Sequence, residues 1–368
     1  MKNYIYLDNA ATVRCFDVVN DIAYKVDAEN WYNSSSLYRP SLEVGAMIDD
    51  ARAKVALALG ASPSEIIFVG GATEANNWAI QRGIKQKKGK VLYSTVEHPS
   101  VKNTIKSLYE NNFAINVDKD GKIDWKHLEQ HLSPDTVFVS FMHVCGNTGV
   151  INDIKRLVST VKSVAPNAIV HSDGVQAFCK WDYSVADLGV DMYTVSAHKV
   201  GGKKGLGVLY IKKGLNIPSF LSGGGHEFGK RAGTLNNSSI ISLPYAIDRY
   251  KQKDTTHYTE MHDYIKSRLK TIDDTLFLYN DLPHIFTVCF KNKPAQIVQS
   301  MLCDRGVIVG TGSACSSKDK INLSLTGRDI DDSYLKGAIR ISLGPHNTME
   351  EIKTACDTIV NVVSNFKI

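Results

Sequence analysis

Apolar runs that alternate with helical patterns are the feature that most restricts how this chain can fold. Runs rich in β-branched and aromatic residues recur as "EIIFVG" (65–70), "KVLYST" (90–95), "TVFVSFMHV" (136–144), "AIVHSD" (168–173), "DMYTVS" (191–196) and "GVLYI" (207–211). Helical patterns lie between several of these runs, over 42–59, 74–87 and 151–164. Such alternation predicts an α/β fold with a mainly parallel sheet that is covered by helices on both faces.

The pattern changes after about residue 250, and a chain of 368 residues is long enough for two domains. A polar helical pattern over 250–270 is followed by short strand patterns near 285–290 and 337–343 and by a closing helix from Met349. The strand-like start "YIYLD" can join this second unit. We therefore predict a large domain over residues 15–250 and a smaller α+β domain formed by residues 1–14 and 251–368.

The composition excludes several classes of protein. Hydrophobic residues make up 43% and charged residues 22% of the chain, which disfavours disorder. No apolar stretch is long enough to cross a bilayer, so we expect a cytoplasmic protein without a membrane partner. The net charge of +5 is modest and no basic and aromatic stripe is present, which argues against nucleic-acid binding. The seven cysteines include no C-x-x-C pair, so we predict neither a disulfide framework nor a metal site.

Lys199 stands between an apolar run and a glycine-rich turn, in "TVSAHKVGGKKGLGVLYIK". A lysine in a surface turn is usually a solvated charge. Strand patterns flank this one, however, and place it at a strand end, where α/β sheets collect their binding sites. A partly desolvated amine there can form a Schiff base with a carbonyl compound, most commonly pyridoxal phosphate. That hypothesis requires a phosphate site, a partner for the ring nitrogen and a group against the ring face.

Other strand ends offer candidates for these three roles. Asp173 ends a strand pattern and Gln176 follows it, so they can contact the ring nitrogen and ring hydroxyl, although an aspartate there is equally a turn former. The run before "GGAT" leads into a helix whose N-terminus favours an anion, with Thr73 adding a hydroxyl; the alternative is a plain helix cap by Thr73. His98 follows the next strand pattern and can stack on a ring and move protons, although ordinary loop histidines are commoner.

A series of motifs extends along nearly the whole chain: "LDNAAT", "EIIFVGGATEANNWAI", "EHPSV", "HSDGVQ", "SAHKVGGKKGLGVLYI", "GGGHEFGKRAGT", "GTGSACSS" and "IRISLG". In content and order they resemble the motifs of the pyridoxal-phosphate-dependent cysteine desulfurases, a branch of the class V aminotransferase fold. The resemblance implies fold type I of the PLP-dependent transferases, with a mainly parallel seven-stranded sheet in the large domain and a catalytic cysteine loop in the small one. It also implies a homodimer whose sites lie at the subunit interface.

The resemblance implies a role for each position that matches a family motif. Lys199 would bond covalently to the cofactor, Asp173 and Gln176 would contact its ring, and His98 would stack on the ring and act as acid and base. A further group would hold the phosphate, with its last member reaching the site of the neighbouring subunit: Ala72, Thr73, Ser196, His198 and Thr234.

Cys315 would be the residue that receives the sulfur. A lone cysteine is usually a small buried hydrophobe, but "GTGSACSS" is too rich in glycine and serine for a core. In the family this cysteine attacks the sulfur of bound L-cysteine, which yields L-alanine and an enzyme persulfide. The sulfur then passes to an acceptor protein or is reduced to sulfide. Arg340 would bind the substrate carboxylate with its planar fork, and Asn33 would lie near that carboxylate.

Three motifs of this chain depart from those of the family. "MHVCGNTG" has Cys145 and Gly146 in place of two asparagines, so an amide contact to the ring hydroxyl is missing unless Asn147 replaces it. Tyr38 stands where the family has a histidine, and Ser34 stands where it has a proline. Gly70 replaces a serine or threonine before the phosphate loop. We expect these changes to alter the ring environment or the choice of substrate while pyridoxal phosphate is retained. Cys145 is either a second sulfur-handling thiol or a small buried residue.

Two other functions stay open at this point. A selenocysteine lyase, or another class V lyase or aminotransferase, would keep the same cofactor residues, and the two substrates would have to be compared directly. A partner-binding scaffold that has lost turnover would need neither Lys199 nor Cys315, so the presence of both residues argues against it.

Overall fold

The computed structural model describes residues 4–84, 88–251, 255–311 and 329–366. Its strands, numbered in chain order, are β1 (Ile5–Leu7), β2 (Ile66–Val69), β3 (Lys90–Ser94), β4 (Asn112–Ile115), β5 (Thr136–Ser140), β6 (Ile169–Asp173), β7 (Met192–Ser196), β8 (Gly207–Ile211), β9 (Thr275–Phe277), β10 (Ile285–Phe290), β11 (Val307–Val309) and β12 (Ala338–Ser342). Its α-helices are α1 (Asp17–Glu29), α2 (Arg39–Leu59), α3 (Ala72–Gly83), α4 (Pro99–Leu108), α5 (Trp125–His131), α6 (Ile154–Val164), α7 (Val185–Leu188), α8 (Asn237–Lys251), α9 (Thr255–Leu269), α10 (Ala295–Asp304), α11 (Asp332–Leu335) and α12 (Met349–Ser364). Short 3-10 turns span Pro63–Glu65, Ala197–Val200 and Glu227–Gly229.

A seven-stranded sheet with the order β2-β8-β7-β6-β5-β3-β4 forms the centre of the larger unit. Strand β8 is antiparallel to both of its neighbours, and the other adjacent pairs are parallel. Every residue of β2, β6, β7 and β8 is buried, because helices cover both faces of the sheet. The predicted α/β fold with a mainly parallel seven-stranded sheet is therefore confirmed.

The helix boundaries differ from the sequence patterns where local capping decides them. Helix α3 begins at Ala72, two residues before the predicted start, because Gly71 serves as its N-cap. Helix α6 begins only at Ile154, where the side chain of Asp153 accepts a hydrogen bond from the third residue of the helix. The polar helix predicted from Tyr250 is wrong at its start, since Tyr250 lies in the last turn of α8. Strand β4 lacked a clear pattern because three of its four residues are only half-buried.

Separate hydrophobic cores organise the two parts of the chain. One core lies between the central sheet and helices that include α1, α2, α6 and α8, and a further cluster lies against α3 and α4 on the same sheet. Another core combines Leu7 of β1 with residues of α9, α10, α12 and strands β10 to β12. Here β1 pairs in parallel with β11, and β10 lies between β9 and β12 in an antiparallel sheet. We propose that these cores correspond to the two predicted domains, 15–250 and 1–14 plus 251–368.

The turn after β5 contacts the residues that lead into β10. The Asp281 carboxylate accepts a hydrogen bond from the backbone N of Ile151 at 2.8 Å, and the backbone N of Leu282 donates to the Gly149 carbonyl at 3.1 Å. Gly149 has a φ of 72°, and a Cβ there would lie 2.2 Å from the Ile285 carbonyl oxygen. Only glycine therefore allows this close approach between the turn and the smaller unit.

The described ranges contain neither a membrane-spanning helix nor a metal-binding cluster. No helix there has both the length and the apolar character needed to span a bilayer. No group of three or more histidine, cysteine, aspartate or glutamate side chains in those ranges is arranged to hold a metal ion.

A buried ion pair joins helix α2 to the segment before α8. The Arg52 guanidinium lies 2.6 Å from one Glu227 carboxylate oxygen, and the other oxygen accepts a hydrogen bond from the backbone N of Phe68 at 2.7 Å. Glu227 and the following Phe228 both have positive φ values, of 50° and 59°. The ion pair thus holds a strained turn against α2 and β2.

Glu227→Gln is expected to lower the free energy of unfolding by about 3–5 kcal/mol, because it leaves the buried Arg52 cation with only the exposed Asp49 carboxylate, 3.9 Å from its Nε. Urea unfolding followed by circular dichroism measures the change. Glu43→Gln is the matched control, since its ion pair with Arg39 is exposed and should contribute little. A similar loss of stability in both variants would contradict the structural role given to the buried pair.

Candidate active site

Lys199 lies in the 3-10 turn that follows β7, and its amine is turned inward. Its Nζ donates hydrogen bonds to the carbonyl oxygens of Ala10 at 2.6 Å and Ala11 at 2.7 Å. Burial lowers the pKa of Lys199 to about 8, the charge of Arg340 acts in the same direction, and Asp8 and Asp173 oppose it. A sizeable fraction of this amine is therefore neutral near pH 7 to 8, which is the form that attacks a carbonyl carbon.

Asp173 ends the neighbouring strand β6 with its carboxylate largely shielded from water. It is 6% exposed, and its two oxygens accept hydrogen bonds from Asn76 Nδ2 at 2.8 Å and from the backbone N of Val175 at 3.0 Å. The bond to Val175 is a turn contact, so the interpretation of Asp173 as a turn former is correct. The bond to Asn76 of α3 additionally fixes the carboxylate in the site.

Gln176 follows in the turn after β6 and is held at both ends of its amide. Its Nε2 donates to the Ala10 carbonyl at 2.9 Å, and its Oε1 accepts from Lys180 Nζ at 2.7 Å. The Ala10 carbonyl therefore accepts hydrogen bonds from both Gln176 and Lys199, and it joins these two residues through one backbone atom.

The N-terminus of helix α3 lies at the end of β2 and is built around glycines. Gly71 is the N-cap with a φ of 152°, so the alternative that Thr73 caps this helix is wrong. A Cβ at Gly207 of β8 would lie 2.6 Å from the Gly71 carbonyl carbon, which explains why glycine is needed there. Ala72 and Thr73 begin the helix, where the first backbone N–H groups have no intrahelical acceptor and favour an anion.

Gly70 has a structural explanation that lies in helix α3. The backbone N of Gly70 donates to Glu74 Oε2 at 2.8 Å, and a Cβ at Gly70 would lie 2.8 Å from the same oxygen. Glu74 is in turn paired with Arg231, whose Nε donates to Glu74 Oε1 at 2.9 Å. The serine or threonine of the family would have to displace this carboxylate.

Ser196 and His198 flank the same turn as Lys199. Ser196 ends β7 and is 3% exposed, while His198 Nδ1 lies 3.0 Å from the Thr12 hydroxyl. Burial lowers the pKa of His198 to about 4, and the charges of nearby lysines, beginning with Lys199, act in the same direction. His198 is therefore a neutral ring that contacts the N-terminal segment.

His98 precedes helix α4 and caps it with its own ring. Its Nδ1 accepts a hydrogen bond from the backbone N of Ser100 at 3.2 Å, which leaves the proton of the neutral ring on Nε2. Burial lowers the pKa of His98; the Asp173 carboxylate opposes this shift, and the Lys199 charge adds to it. Asp173 and Lys199 therefore lie close enough to His98 to act on its charge.

Arg340 of β12 brings a guanidinium from the smaller unit into this site. It is 6% exposed, and its Nη2 lies 2.7 Å from Asp8 Oδ1. Its Nη1 donates to the Gly146 carbonyl at 2.9 Å and to Asn147 Oδ1 at 3.3 Å. Its Nε is buried, and the Nε–H group of the guanidinium has no acceptor within the described ranges.

The structure gives Cys145, Gly146 and Asn147 of "MHVCGNTG" three different environments. Cys145 is 1% exposed and packs among Val96, Val117, Met142 and Val150, which agrees with a small buried residue. A Cβ at Gly146 would lie 3.3 Å from Gln176 Cγ, so glycine leaves this side of Gln176 uncovered.

Asn147 directs its amide oxygen to Arg340 and its carbonyl oxygen to the Thr287 hydroxyl, at 2.7 Å. Its side chain thus contributes to the surroundings of Arg340.

The predicted site residues fall into three groups in the structure. One group surrounds the strand ends of the central sheet: Ala72, His98, Asp173, Gln176, Ser196, His198, Lys199 and Arg340. A second group is exposed in the single chain: Asn33, Thr73 and Thr234. Cys315 lies outside the described residues.

Sequence reasoning missed Asn76, Asp8 and Lys180. Asn76 is completely buried on a helix face shared with Ala75 and Ala79, and a polar residue on such an apolar face was a readable signal. Asp8 and Lys180 gave no comparable signal, because their partners are distant in sequence or lie in an irregular turn.

This sheet, with a partly buried lysine after β7 and a carboxylate at the end of β6, defines the type I fold of the pyridoxal-phosphate-dependent transferases. A model of the family described as "Aminotransferase class-V" matches residues 5–354. The chain therefore belongs to the class-V aminotransferase family, whose members generally depend on pyridoxal phosphate.

Individual relatives place the chain in the cysteine desulfurase branch of this family. "Cysteine desulfurase IscS" of Dictyoglomus turgidum is 34% identical, with 100% of this chain and 96% of that protein covered. "Putative cysteine desulfurase IscS 1" of Bacillus subtilis is 31% identical, with 98% of each chain covered. A solved structure described as a "NIFS-LIKE PROTEIN" has a TM-score of 0.92 and 30% identity, and covers 99% of this chain and 100% of its own. A structure described as "SspA in complex with cysteine" has a TM-score of 0.82 and 27% identity, with 93% and 99% covered.

Chemical labelling of Lys199 tests its electrostatic environment. Acetylation of the apo-protein by a brief pulse of acetic anhydride is expected to reach half its maximum rate near pH 8 at Lys199, because burial disfavours the ammonium form. For a lysine in a free peptide, acetylation should reach half its maximum rate at a pH of about 10.4. Mass spectrometry quantifies the labelled peptide, which Lys199→Arg identifies by its loss. A midpoint equal to that of the free peptide would contradict the lowered pKa of Lys199.

Proposed function

We propose that this protein is a pyridoxal-phosphate-dependent cysteine desulfurase. It converts L-cysteine to L-alanine, transfers the sulfur to Cys315 as a persulfide, and passes it to an acceptor protein or to a reductant. The observation that carries the proposal is the meeting of Lys199 and Asp173, from adjacent strand ends, with Arg340 from the smaller unit. Family membership supports the same activity.

The residues at the strand ends fit pyridoxal phosphate. Lys199 offers an amine with a lowered pKa, and Asp173 offers a buried carboxylate that Asn76 already orients toward the site. Gln176 uses one amide hydrogen on Ala10 and keeps the second for a ring hydroxyl. When bound, the cofactor supplies an electron sink that weakens bonds at the substrate α-carbon.

We assign the contacts with the cofactor as follows. Lys199 would hold it covalently, Asp173 would keep the ring nitrogen protonated, and His98 would cover the ring face. The phosphate would lie at the N-terminus of α3, held by these residues: Ala72, Thr73, Ser196, His198 and Thr234 of a second subunit. In this assignment the protein is a homodimer, which gives the exposed Thr234 a ligand across the interface.

Arg340 would bind the carboxylate of L-cysteine. Its fork is already anchored by Asp8 and by the Gly146 carbonyl, so little side-chain freedom is lost when a substrate arrives. The buried Nε without a partner would gain one. Asn147, at the Nη1 atom, and Asn33 would lie near the same carboxylate.

Lys199 would also move the proton of the α-carbon. The neutral amine is the form that accepts it, and a pKa near 8 keeps this form populated at neutral pH while the ammonium form can still return a proton. The Ala10 and Ala11 carbonyls hold the amine when it is not bonded to the cofactor.

The sulfur step balances without an external oxidant. The Cys315 thiolate attacks the substrate sulfur, an S–S bond forms as the Cβ–S bond breaks, and the carbon keeps the electron pair and is then protonated. The products are alanine and a Cys315 persulfide, which is the oxidised form of the sulfur. We further propose that the protein acts in the cytoplasm and delivers this sulfur to an acceptor protein.

Product analysis tests the proposal directly. The cofactor-loaded protein, incubated with L-cysteine and a thiol reductant, is expected to release alanine and sulfide in equal amounts. Cys315→Ala should lower both by more than about a hundredfold, because no thiolate takes the sulfur. Cys303→Ala is the matched control, since this exposed cysteine lies on α10 and should not matter. Faster alanine release from selenocysteine, with little from cysteine, would favour a selenocysteine lyase instead.

Arg340→Lys tests the carboxylate site. Loss of the planar fork is expected to raise the KM for L-cysteine about 10- to 100-fold, because a charge-assisted contact to the substrate carboxylate is weakened. Steady-state alanine formation measures it. Arg268→Lys, in an exposed ion pair with Asp357, is the control and should leave KM unchanged. An unaltered KM in Arg340→Lys would remove Arg340 from substrate binding.

A further inference from the structure

Lys180 is a buried lysine that the mechanism above does not use. It is 9% exposed and lies in the turn after β6, one helical turn beyond Gln176. Its Nζ donates to Gln176 Oε1 at 2.7 Å. Burying an ammonium group is costly, so a lysine in this position calls for a role that an apolar side chain of the same length could not fill.

The bond from Lys180 determines which way the Gln176 amide faces. A lysine ammonium only donates, and the Ala10 carbonyl only accepts. The observed orientation places the amide oxygen on Lys180 and the amide nitrogen on Ala10. In a flipped amide, the Nε2 donor of Gln176 would face the Lys180 ammonium, which is also a donor. Its Oε1 acceptor would face the Ala10 carbonyl oxygen, which is also an acceptor. The charged lysine therefore permits only one orientation.

The same set of bonds reaches Lys199. The Ala10 carbonyl accepts from Gln176 Nε2 at 2.9 Å and from Lys199 Nζ at 2.6 Å. Lys180 and Lys199 are thus linked through one side-chain amide and one backbone carbonyl. Gly146 places no side chain on the neighbouring side of Gln176, so the amide depends more strongly on Lys180 in this chain.

We propose that Lys180 is a positioning residue that, in its charged form, locks the Gln176 carboxamide so that its nitrogen donates to Ala10 and to the ring hydroxyl of pyridoxal phosphate. The inference rests on the proposed function, because it gives the second amide hydrogen of Gln176 to that cofactor. It assigns Lys180 no contact with the cofactor or the substrate.

The surroundings of Lys180 make this lock sensitive to pH. Burial lowers the pKa of Lys180 to about 7, and the charge of Lys199 adds to the effect. Below that pH the ammonium group holds the amide in one orientation. Above it the neutral amine also has a lone pair, which can accept from a flipped amide, so only the Ala10 carbonyl then opposes the flip. The titratable or charged groups that act on Lys180, or on which it acts, are Lys199, Arg340, Cys179, His198 and His284.

Substrate binding would strengthen the lock. The positive charge of Arg340 lowers the pKa of Lys180, and a carboxylate bound to Arg340 would neutralise that charge. The pKa of Lys180 would then rise, and the ammonium form would persist to higher pH while substrate is bound.

The test compares Lys180→Met, Lys180→Arg and the wild type. Binding of pyridoxal phosphate to the apo-protein is followed by quenching of tryptophan fluorescence from pH 6 to about 9, the range over which a group with a pKa near 7 titrates. Lys180→Met is expected to weaken binding about tenfold at pH 6 and to remove the dependence on a group with a pKa near 7. Lys180→Arg, which stays charged, should bind tightly over the whole range. Lys102→Met, at a partly buried lysine of α4, is the control.

Gln176→Leu keeps the test decisive if Lys180→Met alone is unstable. In the Gln176→Leu background, Lys180→Met should weaken cofactor binding no further, because the amide through which Lys180 acts is gone. Equal effects of Lys180→Met with and without Gln176 would overturn the proposal, as would unchanged affinity and pH dependence in Lys180→Met. Failure of the wild type to bind pyridoxal phosphate would instead overturn the proposed function.

The pH dependence of the stability of the apo-protein tests whether the pKa of Lys180 is lowered. Because the pKa of folded Lys180 lies near 7, the unfolded chain binds more protons than the folded chain between that value and the ordinary lysine value of 10.5. The stability of the wild-type apo-protein relative to Lys180→Met is therefore expected to rise with pH across that window. A flat difference would show that Lys180 keeps an ordinary pKa and would contradict the pH-sensitive lock.

Discussion

The ion pair between Asp8 and Arg340 is the contact on which the arrangement of the site depends. Arg340 belongs to β12 of the smaller unit, and Asp8 belongs to the segment that follows β1. A buried guanidinium without a counter-charge would be strongly destabilising. By holding Asp8, the pair also sets the course of the next residues, whose carbonyl oxygens at Ala10 and Ala11 receive Lys199. This ionic contact within the smaller unit therefore holds the segment whose carbonyl oxygens reach the strand ends of the central sheet.

The charges in the site favour anionic ligands. Three cations, Lys199, Lys180 and Arg340, act on one another, while Asp8 and Asp173 offset only part of their charge. Burial and their mutual repulsion lower the pKa of both lysines, and an anion bound nearby would raise it again. A phosphate-bearing cofactor and a carboxylate substrate would each supply negative charge. Ligand binding and lysine protonation are therefore coupled in this site.

The departures from the family's motifs have separate physical consequences. Gly70 allows the Glu74 carboxylate to bond to its backbone N, and a side chain there would have to displace that carboxylate. Cys145 fills an apolar cluster and is too buried for a thiol that must exchange sulfur. Gly146 affects the site itself, because it uncovers Gln176 and thereby makes the orientation of that amide depend on Lys180.

The sequence by itself determined the sheet and the residues that end its strands. Strands that are buried on both faces of a sheet are continuous apolar runs, and the polar residue that ends such a run, as Asp173 does, lies at the edge where sites form. The runs therefore predicted β2, β6, β7 and β8, and with them Asp173 and Lys199. The half-buried edge strand β4 gave no such pattern. Only the tertiary structure decided the pairing of Asp8 with Arg340 and the bonds of Ala10, because these contacts join positions more than a hundred residues apart and use backbone atoms, which no side-chain pattern records.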